Sequence, residues 1–166
     1  MREVRAREYA VNDRPVEFAR DGFIVSTDRG RLDLGAALAL LRTTHWAGAM
    51  PAAVLEKAAA NSLCFGLYDG ARLVGFARAV TDLATYAYLT DVVVAESHRG
   101  RGLGRWLVEC ILEHPELQEL RRIALFTRDT PELYRQLGFG PPLAERTYLE
   151  IRGPVAAARR RRRPES

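Results

Sequence analysis

At 166 residues and an apolar fraction of 48%, the chain has the size and composition of one globular domain, and two domains of ordinary size do not fit. Its formal charge of +4 resides in residues 159–163, five consecutive arginines; with these and Glu165 set aside, residues 1–158 are balanced, so the basicity belongs to the end of the chain and gives no sign of sequence readout on nucleic acid by the body. Cys64 and Cys110 sit among apolar neighbours without metal-ligand spacing, and no stretch approaches the ~20 apolar residues that cross a bilayer, so the sequence predicts buried reduced thiols in a cytoplasmic protein with no membrane partner.

Residues 1–20 show no sustained period and read as an irregular lead-in. Phe23, Ile24, Val25 and Ser26 form a short β-type run, closed by the turn residues Asp28, Arg29 and Gly30. Leu34, Ala37, Leu38 and Leu41 then recur at helical spacing behind Asp33 as N-cap. A second helix opens with Pro51 at its first position and buries Val54, Leu55 and Ala58. After Asn61 the pattern turns strand-like. Residues 63–68, an Asp69-Gly70 turn and residues 73–80 read as a hairpin, and residues 86–94 add a third consecutive strand.

Beyond that strand, Leu103, Trp106, Leu107, Cys110 and Ile111 share one face, with Arg105, Glu109 and Glu113 on the other, in an amphipathic helix that ends near Pro115. Residues 123–126 form a short apolar strand. A short helix over 130–137 carries Asp129 or Thr130 as its cap, Pro131 in its first turn and Gly138 as its stop. Thr147, Leu149 and Ile151 alternate as a closing strand. The order predicts an α/β fold with a mixed sheet, antiparallel through its middle and covered by helices on both faces, over residues 21–153. Residues 154–166 have no apolar period and read as a disordered tail.

The stretch LTDVVVAESHRGRGLGRWL carries the most chemistry. An apolar strand runs through Gly100, Gly102 and Gly104 directly into the amphipathic helix. Glycines let backbone approach an anion, and the first-turn N–H groups of a helix lack intrahelical acceptors and carry the positive end of its dipole. Arg99, Arg101 and Arg105 add charge around Leu103 and its neighbours. The pattern therefore predicts a diphosphate site. A Walker loop is excluded because no Gly-Lys-Ser/Thr follows, and a dinucleotide fingerprint is disfavoured because the third glycine comes two residues after the second.

With Arg99, Gly102 and Gly104 matching Arg/Gln-x-x-Gly-x-Gly/Ala and Gly100 supplying an Arg-Gly opening, the sequence resembles the GNAT acetyltransferase superfamily across about residues 20–152. Within it, LFTRDTPELYRQLGF is similar to a small bacterial subgroup with a Thr-x-Asp segment ahead of a Leu-Tyr pair. The resemblance implies acetyl-CoA as co-substrate, no metal, and transfer to an amine of unspecified identity. It implies that the strand before the loop bulges and splays, so that backbone around Val92, Val93 and Val94 bonds the pantetheine arm. Tyr134 alone reads as a half-buried tyrosine packing its ring; the resemblance, through Tyr134, Leu137, Gly138 and Phe139, makes it the proton donor to the departing thiolate. A splayed N–H would hold the oxyanion.

No Glu/Asp pair or His cluster converges on the loop. Asp91 lies on the strand that feeds it, on the face opposite Val92 and Val94 by alternation unless a bulge shifts the register. It could accept a proton through water, bind the substrate ammonium or tie down backbone. Trp46, Tyr86 and Tyr88 are candidates for an acceptor pocket, His98 reads as a solvated turn residue, and His45 and His114 have no partner at metal spacing. A non-catalytic acyl-CoA-binding or partner-binding module and a tail-mediated nucleic-acid contact are the competing readings, and a homodimer stays open.

Overall fold

The computed structural model describes residues 14–142 and 147–150. Two successive residues of positive φ, Asp21 at 49° and Gly22 at 83°, reverse the chain between β1 (Glu17–Arg20) and β2 (Phe23–Ser26). This is the backbone that a two-residue hairpin requires. The end of the expected lead-in is therefore a strand, paired antiparallel from Glu17↔Ser26 to Arg20↔Phe23. It is an edge strand of four residues with no buried position, and so it leaves no apolar alternation to read.

The chain continues through α1 (Leu34–Arg42), α2 (Ala52–Ala60), β3 (Leu63–Asp69), β4 (Arg72–Thr81), β5 (Tyr86–Val94), α3 (Leu103–Leu112), β6 (Arg122–Ala124) and α4 (Pro131–Gln136). Short 3-10 turns at Glu96–His98 and Pro115–Leu117 flank α3. The described strands form one six-stranded sheet in chain order, antiparallel from β1 to β5, with β6 parallel to β5. The mixed sheet expected from the element order is thus observed. The β3–β4 loop falls one residue later than read: Asp69 still pairs with Arg72, and Gly70 turns the chain at φ 58°.

Each face of the sheet buries a separate apolar cluster. Leu103, Trp106, Leu107, Cys110 and Ile111 of α3 pack against Val25, Leu63, Phe65, Leu67, Val74 and Leu89. Ala37, Leu38 and Leu41 of α1, with Leu55 and Ala59 of α2, pack against Cys64, Tyr68, Phe76 and Val93 on the other face. Asp33 caps α1 by accepting from the Ala36 N–H at 2.9 Å. Pro51 occupies the N-cap of α2 and not its first helical position, and the helix buries Leu55 and Ala59, with Ala58 half-buried and Val54 exposed. Both cysteines are free and buried, and desolvation pushes their thiols up to about 11 for Cys64 and about 12 for Cys110.

β6 stops at Ala124, short of the Phe126 read from the sequence. Of the expected closing strand, residues 147–150 have no regular structure, and Ile151 lies outside the described residues, as does the stretch 154–166. No helix among the described residues is long and apolar enough to cross a membrane.

Candidate active site

Between Phe76 and Arg78 of β4 the chain advances two residues, while the paired stretch of β5, from Val93 back to Thr90, advances three. The additional residue makes a bulge, and at it Asp91 adopts φ 57°, a left-handed backbone that costs a non-glycine residue ~1–2 kcal/mol. The bulge resets the side-chain alternation. Ala87 and Leu89 pack toward α3; beyond the bulge Val92 and Val94 take that face, and Val93 joins the cluster under α1 and α2.

The ladder between β5 and β6 ends at Tyr88↔Ala124. From there residues 89–94 and 125–130 diverge, and a cleft of about 900 Å³ opens between them. The Ala95 N–H bonds the Val74 carbonyl at 2.8 Å. By alternation back along the strand, Val93 turns its polar backbone to β4, and Val92 and Val94 turn theirs into the splay. The Val94 carbonyl there accepts from Arg99 Nε at 3.1 Å.

Asp91 itself is 6% exposed and ion-paired. Its Oδ2 takes a hydrogen bond from Arg78 Nε at 2.6 Å, and its Oδ1 takes one from the Thr90 hydroxyl at 3.3 Å. Arg78 also donates through Nη1 to Ser62 Oγ at 2.8 Å and to the Ala58 carbonyl at 3.5 Å. The pair thus ties the bulge to the C-terminal end of α2.

Gly100 and Gly102 have φ of 74° and 73°, and Gly102 is the N-cap of α3. The first helical bond runs from the Trp106 N–H to the Gly102 carbonyl, which leaves the N–H groups of Leu103, Gly104 and Arg105 without intrahelical acceptors. Positive φ accounts for glycine at 100 and 102. Gly104 is helical, and a Cβ there would meet only Val94 Cγ2, at an ordinary 3.8 Å. Among the described residues nothing requires glycine at 104; its missing side chain keeps the helix entrance open. Arg99 lines the cleft. Arg101 lies with its guanidinium carbon 4.7 Å from the Phe23 ring centroid, and Arg105 bridges Glu109 Oε1 at 2.8 Å and Gln136 Oε1 at 3.1 Å, which ties α3 to α4.

His98 is buried beneath this loop and is not the solvated turn residue the sequence suggested. Its Nε2 lies 3.2 Å from Asp69 Oδ2, its Nδ1 lies 2.8 Å from Ser97 Oγ, and its ring meets Phe23 edge-on. It pins the turn before Arg99 to the end of β3.

Tyr134 lines the same cleft from α4. Gly138, at φ 92°, closes the helix, and the Phe139 N–H returns to the Tyr134 carbonyl at 3.0 Å. That turn sets the Phe139 ring edge-on to Tyr134 at 5.8 Å. Leu133 and Leu137 pack on the α3-side core. Desolvation raises the Tyr134 phenol above the ordinary tyrosine value, so it stays protonated at neutral pH. Its hydroxyl bonds no other group among the described residues.

The far wall comes from segments with no shared period. Trp46, 54% exposed, and Phe126, 62% exposed, both border the cleft, with Tyr88 6.0 Å from Phe126 and Tyr148 4.9 Å from it, centroid to centroid. Tyr86 does not line the cleft. His45 Nε2 stands 3.5 Å from Asp129 Oδ2 and meets Trp46 edge-on. A hydrogen bond from Arg128 is the main cause that holds the Asp129 carboxyl below the usual range, with the Arg128 and His45 charges adding to it. Phe126 and the His45–Asp129 pair were missed in the sequence, and only the aromatic character of Phe126 could have drawn attention. Among the described residues no three His, Cys, Asp or Glu side chains are grouped to hold a metal ion.

The sequence profile described as the acetyltransferase (GNAT) family matches residues 35–139. A candidate acetyltransferase of Gibberella zeae is 34% identical over 84% of this chain and 88% of its own length. Among solved structures, a candidate acetyltransferase of the GNAT family from Xanthomonas campestris pv. campestris is 42% identical, with a TM-score of 0.76 over 82% of this chain and 96% of that one. Glucosamine-6-phosphate N-acetyltransferase from Arabidopsis thaliana shares the fold at 14% identity, with a TM-score of 0.55 over 76% of this chain and 97% of that one.

Proposed function

From the premise that the chain belongs to the acetyltransferase (GNAT) family and is an acyltransferase of that type, we propose that it transfers acetyl from acetyl-CoA to a primary amine in the cytoplasm, by direct attack within a ternary complex. One observation carries the reading. A bulged, splayed strand and the Tyr134 phenol border one cleft, and the N-terminus of α3 adjoins that strand at Val94, whose Cγ2 lies 3.8 Å from where a Cβ on Gly104 would stand.

In this reading the free N–H groups of Leu103, Gly104 and Arg105 bind the diphosphate, with Arg99, Arg101 and Arg105 supplying counter-charge and Gly100 and Gly102 shaping the turn. The outward backbone of Val92 and Val94, with Val93 fixed between them on β4, bonds the pantetheine arm. That aims the thioester at the widest part of the splay. The amine attacks the carbonyl carbon, an outward N–H of the strand stabilises the oxyanion, and Tyr134 donates its proton to the departing sulfur. Excess protons leave the nitrogen for solvent. The acceptor enters past Trp46, Tyr88 and Phe126.

Thiol release from acetyl-CoA, followed against a panel of primary amines, tests the proposal. Amine-dependent release that falls in Tyr134→Phe supports transfer. Coenzyme binding without release for any amine supports a non-catalytic acyl-CoA-binding module.

A further inference from the structure

We propose that Asp91 and Arg78 are positioning residues: the Arg78–Asp91 pair, anchored on Ser62, locks the β5 bulge so that the backbone of Val92 and Val94 meets the pantetheine arm and thioester. The inference rests on the acetyl-CoA reading above and assigns Asp91 the third of the roles open to it in the sequence, that of tying down backbone.

Four observations converge on it. Asp91 is the residue at which β5 gains its extra position against β4, and it holds φ 57° there without being glycine. A left-handed aspartate in the middle of a nine-residue strand persists only where its surroundings over-determine it. Those surroundings are the short bond from Arg78 Nε, at 2.6 Å, and the Thr90 hydroxyl, at 3.3 Å. Arg78 is in turn held by Ser62 Oγ and the Ala58 carbonyl, so the bulge is referenced to α2, an element outside the sheet.

The chemistry of the pair argues in the same direction. Both carboxylate oxygens are already engaged, Oδ2 by Arg78 Nε and Oδ1 by the Thr90 hydroxyl, so the carboxylate is committed to partners within the protein. Side chains of 10% and 5% exposure also leave little room for a substrate ammonium. The backbone consequence is direct: without the bulge, strict alternation would carry the face of Ala87 and Leu89 on to Asp91 and Val93, and would turn the backbone of Val92 and Val94 back toward β4.

Calorimetry of wild type, R78M, D91A and D91N with acetyl-CoA and with ADP tests this, since ADP carries a diphosphate but no pantetheine arm. Asparagine tolerates the left-handed region and still accepts from Arg78, so D91N preserves the geometry without the charge. Acetyl-CoA affinity should fall about tenfold in R78M and D91A and stay within about threefold of wild type in D91N, with ADP affinity unaltered throughout. Folded R78M and D91A that bind acetyl-CoA like wild type overturn the proposal, as does an equal loss for ADP. Should those two fail to fold, D91N decides: a loss beyond about tenfold counts against a geometric role. A wild type that binds no acetyl-CoA removes the underlying functional reading instead.

Discussion

Arg78 and Asp91 meet at 2.6 Å in the wall of the cleft, which Asp91 lines, both side chains nearly withdrawn from solvent, at the point where β5 carries one residue more than β4. The pair makes the bulge a fixed feature of the sheet and links the site to α2 through Ser62.

Because the pair is buried, removing one partner strands a charge. D91A should lose ~3–5 kcal/mol of unfolding free energy in urea, and D91A/R78M should recover part of it, since no unpaired guanidinium remains. Equal loss in the single and double variants would show that the pair contributes through something other than charge burial.

The two glycines at the α3 entrance should separate fold from ligand. Gly102 needs φ 73°, so Gly102→Ala should destabilise the protein by ~1 kcal/mol or more. Gly104 is helical with room for a methyl group, so Gly104→Ala should gain ~0.5–1 kcal/mol in helix propensity. Its acetyl-CoA affinity should nonetheless fall, as the added Cβ occupies the approach to the amides. Thermal melts paired with calorimetry measure both quantities.

Tyr134→Phe should lower turnover about 10²-fold or more while leaving acetyl-CoA affinity near wild type. Burial raises the phenol, so the protonated donor persists through neutral pH and is lost only above the ordinary tyrosine value. Wild-type turnover should decline at that alkaline limb, and the residual activity of the variant should not show it. Equal turnover by the two proteins removes Tyr134 from the chemistry.

His114 offers a pH test of the core. It is buried, accepts from the Glu116 N–H at 3.3 Å, and finds no partner for Nε2 among the described residues; burial lowers its affinity for a proton below the ordinary 6.5. The unfolded chain then binds the proton more readily, so stability is fully present above 6.5 and drains as pH falls toward the folded value. Urea midpoints at pH 7 and pH 5 should differ more for wild type than for His114→Leu. Identical differences would contradict the assignment.

The sequence made legible those elements whose apolar residues recur over several turns or alternate across a buried strand. α1, α3 and the β3–β5 meander all fall close to their expected places. β1 escaped because an edge strand shows no buried face, although Asp21-Gly22 carried the same dipeptide signal as Asp69-Gly70. The glycine turn into α3 was readable because its glycines and its helix are contiguous in the chain. The rest of the site depends on tertiary convergence. The bulge joins Asp91 to an arginine thirteen residues earlier, His45 meets Asp129 only across the cleft, and His98 is buried by contacts with Phe23 and Asp69 that no local pattern encodes.

The measurement closest to the central claim is calorimetric titration of acetyl-CoA into wild type and Gly102→Glu, whose carboxylate would stand at the helix entrance where the diphosphate is expected. Saturable binding by wild type and none by a folded Gly102→Glu is the predicted result. Indistinguishable affinities would place the coenzyme elsewhere and contradict the account.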